Sequence, residues 1–161
     1  MSIQRPAPKS KGAAWMLLMI VILISIAGVV YYLRADKADK ELASHKQHGN
    51  EYLMQDNYLG AKEEFGKAIK LEPRNLVIYF QLAEACIGLE DYPTAAGYLE
   101  QAIAIAEEEP MNREQYEALV IKLVECYDII GEDSKREDLV EHSLERIDSE
   151  RIRELLRGQY Q

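Results

Sequence analysis

The stretch DNYLGAKEEFGKAIKLEP, residues 56–73, has the spacing of an amphipathic helix, and a similar stretch follows it along the chain. That second stretch is EDYPTAAGYLEQAIAIAEEEP, residues 90–110. A shift of 34 residues aligns five positions of similar type: Tyr58 with Tyr92, Ala61 with Ala95, Phe65 with Leu99, Ala68 with Ala102, and Ile69 with Ile103. A fixed period of this length indicates one structural unit that is used twice.

The segments upstream of the two stretches align as well. The same shift places Tyr79, Leu82, Ala83 and Cys86 on His45, His48, Gly49 and Tyr52. A 34-residue period of paired helices resembles the tetratricopeptide repeat (TPR). The first copy, 42–75, carries the small, aromatic and closing residues of that family: Gly49, Tyr52, Tyr58, Ala61, Phe65, Ala68 and Pro73. It has His45 and His48 where the family has tryptophan and leucine.

Two further copies extend the array, and the second of the three is as clear as the first. The second copy, 76–109, keeps Leu82, Ala83, Tyr92, Ala95 and Ala102, and its closing proline is delayed to Pro110. The third, about 113–147, is degenerate. Its first helix and turn are predicted from Leu123, Val124, Tyr127 and Gly131. In its second helix, Val140 and Ser143 are predicted to stand where Phe65 and Ala68 stand in the first copy, and Arg136 replaces the packing alanine. About three repeats are needed to bury their faces.

The chain end 148–161 is predicted to be a capping helix and tail. Its serine Ser149, its glycine Gly158 and the spacing of Ile152, Leu155 and Leu156 are typical of a short amphipathic helix. Solenoids use such a helix to cover their last face. The 42–147 array and its cap predict an all-α fold, a short TPR solenoid that follows an N-terminal transmembrane helix.

That transmembrane helix is predicted at residues 13–33, AAWMLLMIVILISIAGVVYYL, which contain no charge and no proline. Twenty-one residues at about 1.5 Å per residue span a hydrocarbon core of about 30 Å. Trp15, Tyr31 and Tyr32 lie where aromatic rings favour the headgroup region. A signal peptide cleaved after Ala27 is the alternative, but six more apolar residues follow that position and favour an uncleaved signal anchor.

Charge separates the head of the chain from the rest. The tail 1–12 carries three basic residues, whereas residues 34–161 have a net charge of −12. Basic residues on the two sides of the span almost balance, and a short basic head usually stays cytoplasmic. We therefore expect a single-pass protein of a bacterial plasma membrane with its N-terminus inside and its C-terminus outside. No proline interrupts 13–72, so the connector 34–41 is predicted to be helical, with a flexible stalk as the alternative.

The TPR resemblance implies a concave groove that is lined by the first helix of each repeat. Its candidate peptide-binding residues are Lys46, Asn50, Leu53, Met54, Phe80, Gln81 and Glu84, with Ala43, Val77, Ile87 and Gly88 beside them. KQHGN, residues 46–50, matches the Lys-x-x-Gly-Asn segment of TPR domains that clamp the C-terminal carboxylate of chaperone tails. The match is incomplete, because the other clamp positions fall on Gln81, Ala118 and Lys122.

The sequence gives no sign of catalysis or of a cofactor. It lacks G-x-S-x-G, H-E-x-x-H and P-loop motifs, so an enzyme is not expected. His45 and His48 have no third metal ligand type arranged nearby and are predicted to be partly buried structural histidines, so no metal is expected. Cys86 and Cys126 are predicted to be free and buried. The acidic surface argues against nucleic-acid binding, and no small-molecule substrate is evident.

Three functions fit these features. The first is a membrane-anchored scaffold or adaptor, whose groove binds protein partners and helps to assemble or stabilise a membrane or cell-envelope complex. The second is a cytosol-facing receptor or co-chaperone that binds a peptide tail. The third is a structural accessory subunit that is held mainly through its transmembrane helix, with the lipid bilayer contacting residues 13–33.

Overall fold

The computed structural model describes residues 11–108 and 112–156, and this part of the chain is all-α. Its helices are α1 Lys11–Met54, α2 Tyr58–Leu71, α3 Leu76–Gly88, α4 Tyr92–Glu108, α5 Arg113–Ile130, α6 Asp133–Arg146 and α7 Glu150–Leu156. The chain divides into two compact units, Met1–Lys40 and Glu41–Gln161. The predicted all-α class is confirmed. Most of the predicted tail 1–12, and also Pro110 and Gly158, lie outside the described residues.

The first unit contains the apolar part of α1. From Trp15 to Leu33 every residue of this helix is exposed. The segment is long and apolar enough to cross a membrane, and a signal sequence near an N-terminus would meet the same criteria. The hydroxyl of Ser25 donates to the carbonyl of Val21 at 2.8 Å, so the helix itself satisfies this polar group.

The second unit, which begins at Glu41, consists of helical hairpins whose starts are fixed by short polar side chains. The amide oxygens of Asn57, Asn75 and Asn112 accept the backbone N–H of Gly60, Ile78 and Glu114, respectively. Each bond satisfies one of the donors that a helix N-terminus leaves free. Gly131 ends α5 in the left-handed conformation with φ 76°, which glycine adopts without steric cost.

Small residues set the distances between the helices. Ala61 and Ala68 of α2 are fully buried, and a Cβ atom added to Gly49 would lie 2.6 Å from Cε1 of Phe65. The backbone of α1 therefore approaches the ring so closely that only glycine fits. Two core clusters result. One holds Ala61, Phe65, Ala68, Ile78, Leu82 and Ala85, and the larger one extends from Ala83 through α4, α5 and α6 to Ile152.

The third hairpin and the last helix follow the same plan. Val140 and Ser143 of α6 are buried at the positions that correspond to Phe65 and Ala68. The Nε of Arg136 lies 3.3 Å from the carboxylate of Asp128, so an ion pair offsets the charge of this side chain, which is only 18% exposed. Ile152 of α7 is fully buried and belongs to the larger cluster, so α7 covers the end of the array.

The structure corrects one prediction about the first repeat. His45 is partly buried, but His48 is exposed, so the expectation that both histidines are partly buried is wrong for His48. Leu82, the equivalent residue of the second repeat, is buried in the cluster that contains residues of α2. Among the described residues no hairpin precedes the first repeat, so none of them covers His48 as α2 covers Leu82.

Candidate peptide-binding groove

The first helices of the three hairpins are the part of α1 from Glu41, α3 and α5, and two clefts lie along them. The first, called the Tyr58 cleft, has a volume of about 410 Å³. Its lining residues come from the end of α1, the start of α2, the last turns of α3 and the middle of α5: Leu53, Met54, Tyr58, Glu84, Ile87, Gly88 and Lys122. Most of this wall is apolar, with one carboxylate and one ammonium.

Tyr58 reaches this cleft because a glycine lies behind its ring. A Cβ atom added to Gly88 would lie 2.3 Å from Cδ1 of Tyr58, so the ring packs directly on the backbone of α3. The Tyr58 hydroxyl donates to Asp56 at 2.8 Å, and this bond raises the pKa of the phenol. The ring thus connects the first hairpin to the second and also forms part of the cleft wall.

The second cleft, called the Phe80 cleft, lies between the first turns of α3 and α5 and has a volume of about 240 Å³. It is lined by Leu76, Val77, Phe80, Gln115, Ala118 and Leu119. Val77 keeps 48% of its surface exposed although its side chain is apolar. With only one polar lining residue, this cleft suits an apolar side chain of a partner.

A polar region separates the two clefts. The side-chain amide of Gln81 donates to the amide oxygen of Asn50 at 2.5 Å and so connects α3 to α1. The remaining oxygen of Gln81, Oε1, is buried and has no hydrogen-bond partner among the described residues. Buried polar atoms normally have a partner, so this oxygen is an exception, and Gln81 itself lines neither cleft.

Glu84 lies one turn beyond Gln81 on α3 and is only partly exposed. Burial raises the pKa of this carboxyl, and the charge of Lys122 opposes the shift. The ammonium of Lys122 lies 3.2 Å from the carboxylate of Glu125, so that ion pair already engages it. Within the described part of the chain no ion pair or hydrogen bond of the Glu84 carboxylate is found.

Comparison with solved structures identifies this architecture. The N-terminal domain of stress-induced protein-1 (STI-1) from C. elegans matches with a TM-score of 0.66 and 17% identity, over 75% of this chain and 94% of that one. The first TPR of Spaghetti (RPAP3), bound to the HSP90 peptide SRMEEVD, matches with a TM-score of 0.57 and 19% identity, over 74% of this chain and 92% of that one. The helical hairpins form a TPR-like domain. No family model and no curated protein matched the chain.

A third solved structure, the TPR2AB-domain:pHSP90 complex of yeast Sti1, matches the chain with a TM-score of 0.58 and 22% identity. The match covers 77% of this chain and 46% of that one. At such identities the likeness shows the fold alone. The predicted TPR solenoid is thereby confirmed as a fold, and the residues that bind a partner remain predictions.

The TPR-like domain brings most of the candidate residues together. Leu53, Met54 and Glu84 line the Tyr58 cleft, and Phe80 lines the Phe80 cleft. Asn50 and Gln81 form the hydrogen bond between the clefts, whereas Lys46 is partly buried and lines neither cleft. Tyr58 was not among the residues that the sequence predicted to line the groove. The sequence signal for its place in the cleft wall was the spacing of Tyr58 and Gly88, an aromatic residue 30 positions before the glycine that ends α3.

His45 and the two cysteines of the TPR-like domain have structural surroundings. Nδ1 of His45 lies 2.6 Å from the carboxylate of Glu64, and Lys67, followed by His45, lowers the pKa of that carboxyl. The described residues include no group of three potential metal ligands. Cys86 and Cys126 are free and buried, and burial raises the pKa of the Cys126 thiol to about 11.

Proposed function

We propose that this chain is a membrane-anchored TPR scaffold, which binds a protein partner in its groove and helps to assemble or stabilise a membrane or cell-envelope complex. The observation that carries the proposal is the pair of largely apolar clefts on the first helices of the hairpins. TPR-like domains are typically binding modules without catalytic activity, and stacked repeats offer extended binding surfaces.

The apolar segment of α1 supplies the anchor in this proposal. It is exposed along its whole length and satisfies its backbone hydrogen bonds internally, as a helix in lipid must. We place it across a bacterial plasma membrane, with the N-terminus in the cytoplasm and the TPR-like domain outside. A reporter enzyme fused after Gln161 tests the orientation. Activity restricted to the cytoplasm would contradict it.

Photocrosslinking tests whether the groove binds a partner. A photoreactive residue at Leu53 or Phe80 is expected to label a protein, because both side chains line a cleft. The matched control is Leu59 of α2, which is 60% exposed and lines neither cleft. If Ile20 or Ile24 in the apolar segment labels strongly while both cleft positions label nothing, the structural accessory subunit is the better description.

A second candidate function is the cytosol-facing receptor for a peptide tail. Lys46 and Asn50 are four residues apart and share one face of α1, where an ammonium and an amide could hold one carboxylate. The RPAP3 domain cited above was solved with an acidic HSP90 peptide. Here the amide oxygen of Asn50 is engaged by Gln81, and Ala118 supplies no charge in the Phe80 cleft. Unchanged partner recovery by the K46A/N50A double variant would reject this candidate.

A further inference from the structure

The middle of the groove contains a carboxylate that lines the Tyr58 cleft, Glu84. Within residues 11–108 and 112–156 this carboxylate has no hydrogen bond or ion pair, and burial raises its pKa. Gln81, one turn before it on α3, is occupied by its bond to Asn50 and lines neither cleft. Glu84 is therefore the acceptor that the groove presents to a partner.

This acceptor lies between apolar residues of the two clefts. Along α3, Glu84 is about 6 Å of helix rise from Phe80 and about 4.5 Å from Ile87. Phe80 of one cleft and Ile87 of the other are thus separated by about 10.5 Å along the helix axis. An extended chain advances about 3.3 Å per residue and alternates its side chains. Residue i of such a chain would then meet one cleft, residue i+2 would meet Glu84, and residue i+4 would meet the other cleft.

Charge decides which side chain can occupy the middle position. Residues 34–161 carry a net charge of −12, so the domain attracts basic segments and repels acidic ones. Lys122 opposes the negative charge of Glu84, but Glu125 lies 3.2 Å from its ammonium. Lys46 lines neither cleft. A guanidinium or ammonium would supply a charge-assisted donor to the Glu84 carboxylate.

We propose that the groove binds an extended partner segment of the pattern apolar-x-basic-x-apolar. The Arg or Lys side chain donates to Glu84, and the two apolar side chains enter the Tyr58 cleft and the Phe80 cleft. This inference rests on the proposed function, because it names the chemistry of the partner that the scaffold binds. It differs from the acidic-tail candidate in the sign of the charge that is recognised.

Labelled peptides test this chemistry on the full chain in lipid nanodiscs. The probe is fluorescein-labelled Gly-Ser-Leu-Ser-Arg-Ser-Leu-Ser-Gly, and the comparison peptides carry Glu in place of Arg, or Ser in place of both Leu residues. By fluorescence anisotropy, the Arg peptide is expected to bind at least about tenfold more tightly than either comparison peptide, a ratio typical of one charge-assisted contact or of two buried leucines.

Two protein variants locate the effect at the groove. E84Q keeps the shape of the side chain and is expected to remove most of the preference for Arg over Glu, and E84K is expected to reverse it. E63Q is the matched control, because Glu63 is an exposed acid on α2 that lines neither cleft. If E63Q reduces the preference as much as E84Q does, only the overall charge matters and the proposed contact is wrong.

The remaining outcomes separate this inference from the proposed function. Equal or tighter binding of the Glu peptide, or of SRMEEVD, would overturn the inference and favour the acidic-tail candidate. If no peptide binds while Leu53 and Phe80 still crosslink a protein, the scaffold proposal stands and the proposed pattern is wrong. If the peptides do not bind and the cleft positions label nothing, both are wrong.

Discussion

Two helical segments of this chain are apolar, and their surroundings differ completely. Residues 15–33 of α1 are exposed at every position, whereas α3 buries Ile78, Leu82, Ala83, Ala85 and Cys86. The first segment belongs to a unit that offers it no neighbouring helix among the described residues, and α3 packs between α2 and α4. The apolar side chains of α3 are thus covered by other helices, whereas those of residues 15–33 are not.

Length and residue size account for this difference. The apolar run of α1 is long enough for a bilayer, and the 13 residues of α3 are too few to span one. In addition, α3 carries small residues at the sites where helices approach, such as Ala83 and Gly88. Hydropathy alone therefore does not separate a candidate membrane helix from a core helix. Length and the positions of small residues do.

The largest expected effect comes from one charge placed in each apolar helix. Leu82 is 1% exposed, so L82D buries a carboxylate without a partner and should cost about 3–5 kcal/mol or more, a large part of the stability of a small domain. Circular dichroism of the purified full chain should show an unfolded domain or a strongly lowered melting temperature.

The matched variant is L23D in the apolar segment, where Leu23 is 61% exposed. It should leave the unfolding transition of the TPR-like domain unchanged. A central carboxylate costs about 2.5–3.5 kcal/mol on insertion scales, so a smaller share of the chain should be recovered with membranes. An L23D chain that stays in membranes as the wild type does would argue against the anchor.

A medium effect is expected from adding one methyl group to a glycine in each helix. In G88A the new Cβ meets the Tyr58 ring at 2.3 Å, and the resulting repacking should cost about 1–3 kcal/mol. In G28A nothing lies within 4 Å of the new atom, so the domain's stability should not change. Denaturant midpoints of the two variants measure the difference. Equal midpoints would contradict the close contact between Tyr58 and Gly88.

A smaller effect concerns pH, and the apolar segment 15–33 does not take part in it because it contains no acid, lysine, arginine or histidine. Lys67 and His45 lower the pKa of Glu64 below its ordinary value of 4.5. The resulting stabilisation is complete above that value and is lost as the pH falls through the lowered pKa. Unfolding free energies measured from neutral to acidic pH should therefore decrease toward low pH.

The variant E64Q isolates this contribution. Its stability should depend less steeply on pH in the acidic range than that of the wild type, because the amide does not titrate. The raised pKa of Glu84 acts in the opposite direction, so the difference between E64Q and wild type is the quantity to compare. Parallel pH profiles would mean that the contacts of Glu64 do not stabilise the fold.

The smallest effect is expected at the helix surface. Arg74 and Glu108 form an ion pair at 2.5 Å whose side chains are mostly exposed, and Lys40 and Asp36 form one at 2.7 Å within α1. Exposed pairs are worth at most about 1 kcal/mol. R74A and K40A should therefore both leave the melting temperature within a few degrees of the wild type. A larger loss in R74A would indicate that this pair helps to hold successive hairpins together.

Much of the fold could be predicted from the sequence because its signals are local and repeated. The 34-residue period, the alanines at 61, 68, 95 and 102, and the glycine at 131 each specify a helix contact or a helix end. The hairpins, including the degenerate third one, follow from these positions. Residues 1–10, 109–111 and 157–161 lie outside the described structure, so the expectations for them stay predictions.

The groove was less predictable, since it depends on how successive hairpins pack. The bond between Gln81 and Asn50 joins residues 31 positions apart, and Lys122 reaches a cleft otherwise lined by residues 53–88. The exposure of His48 depends on the lack of a preceding hairpin among the described residues, which no property of the histidine itself reveals. Such features follow from tertiary arrangement, and single-sequence patterns do not encode them directly.

The contact between Tyr58 and Gly88 has a consequence for mutational screening. Because one ring joins two hairpins and also lines a cleft, a truncation such as Y58A would disturb folding and recognition together. A screen that measures binding only would show a loss of binding in Y58A but would not tell whether misfolding or a lost cleft contact caused it. Y58F separates the two, since it keeps the ring on Gly88 and removes only the hydroxyl that contacts Asp56. Natural variation at this position is expected to be limited to flat aromatic rings.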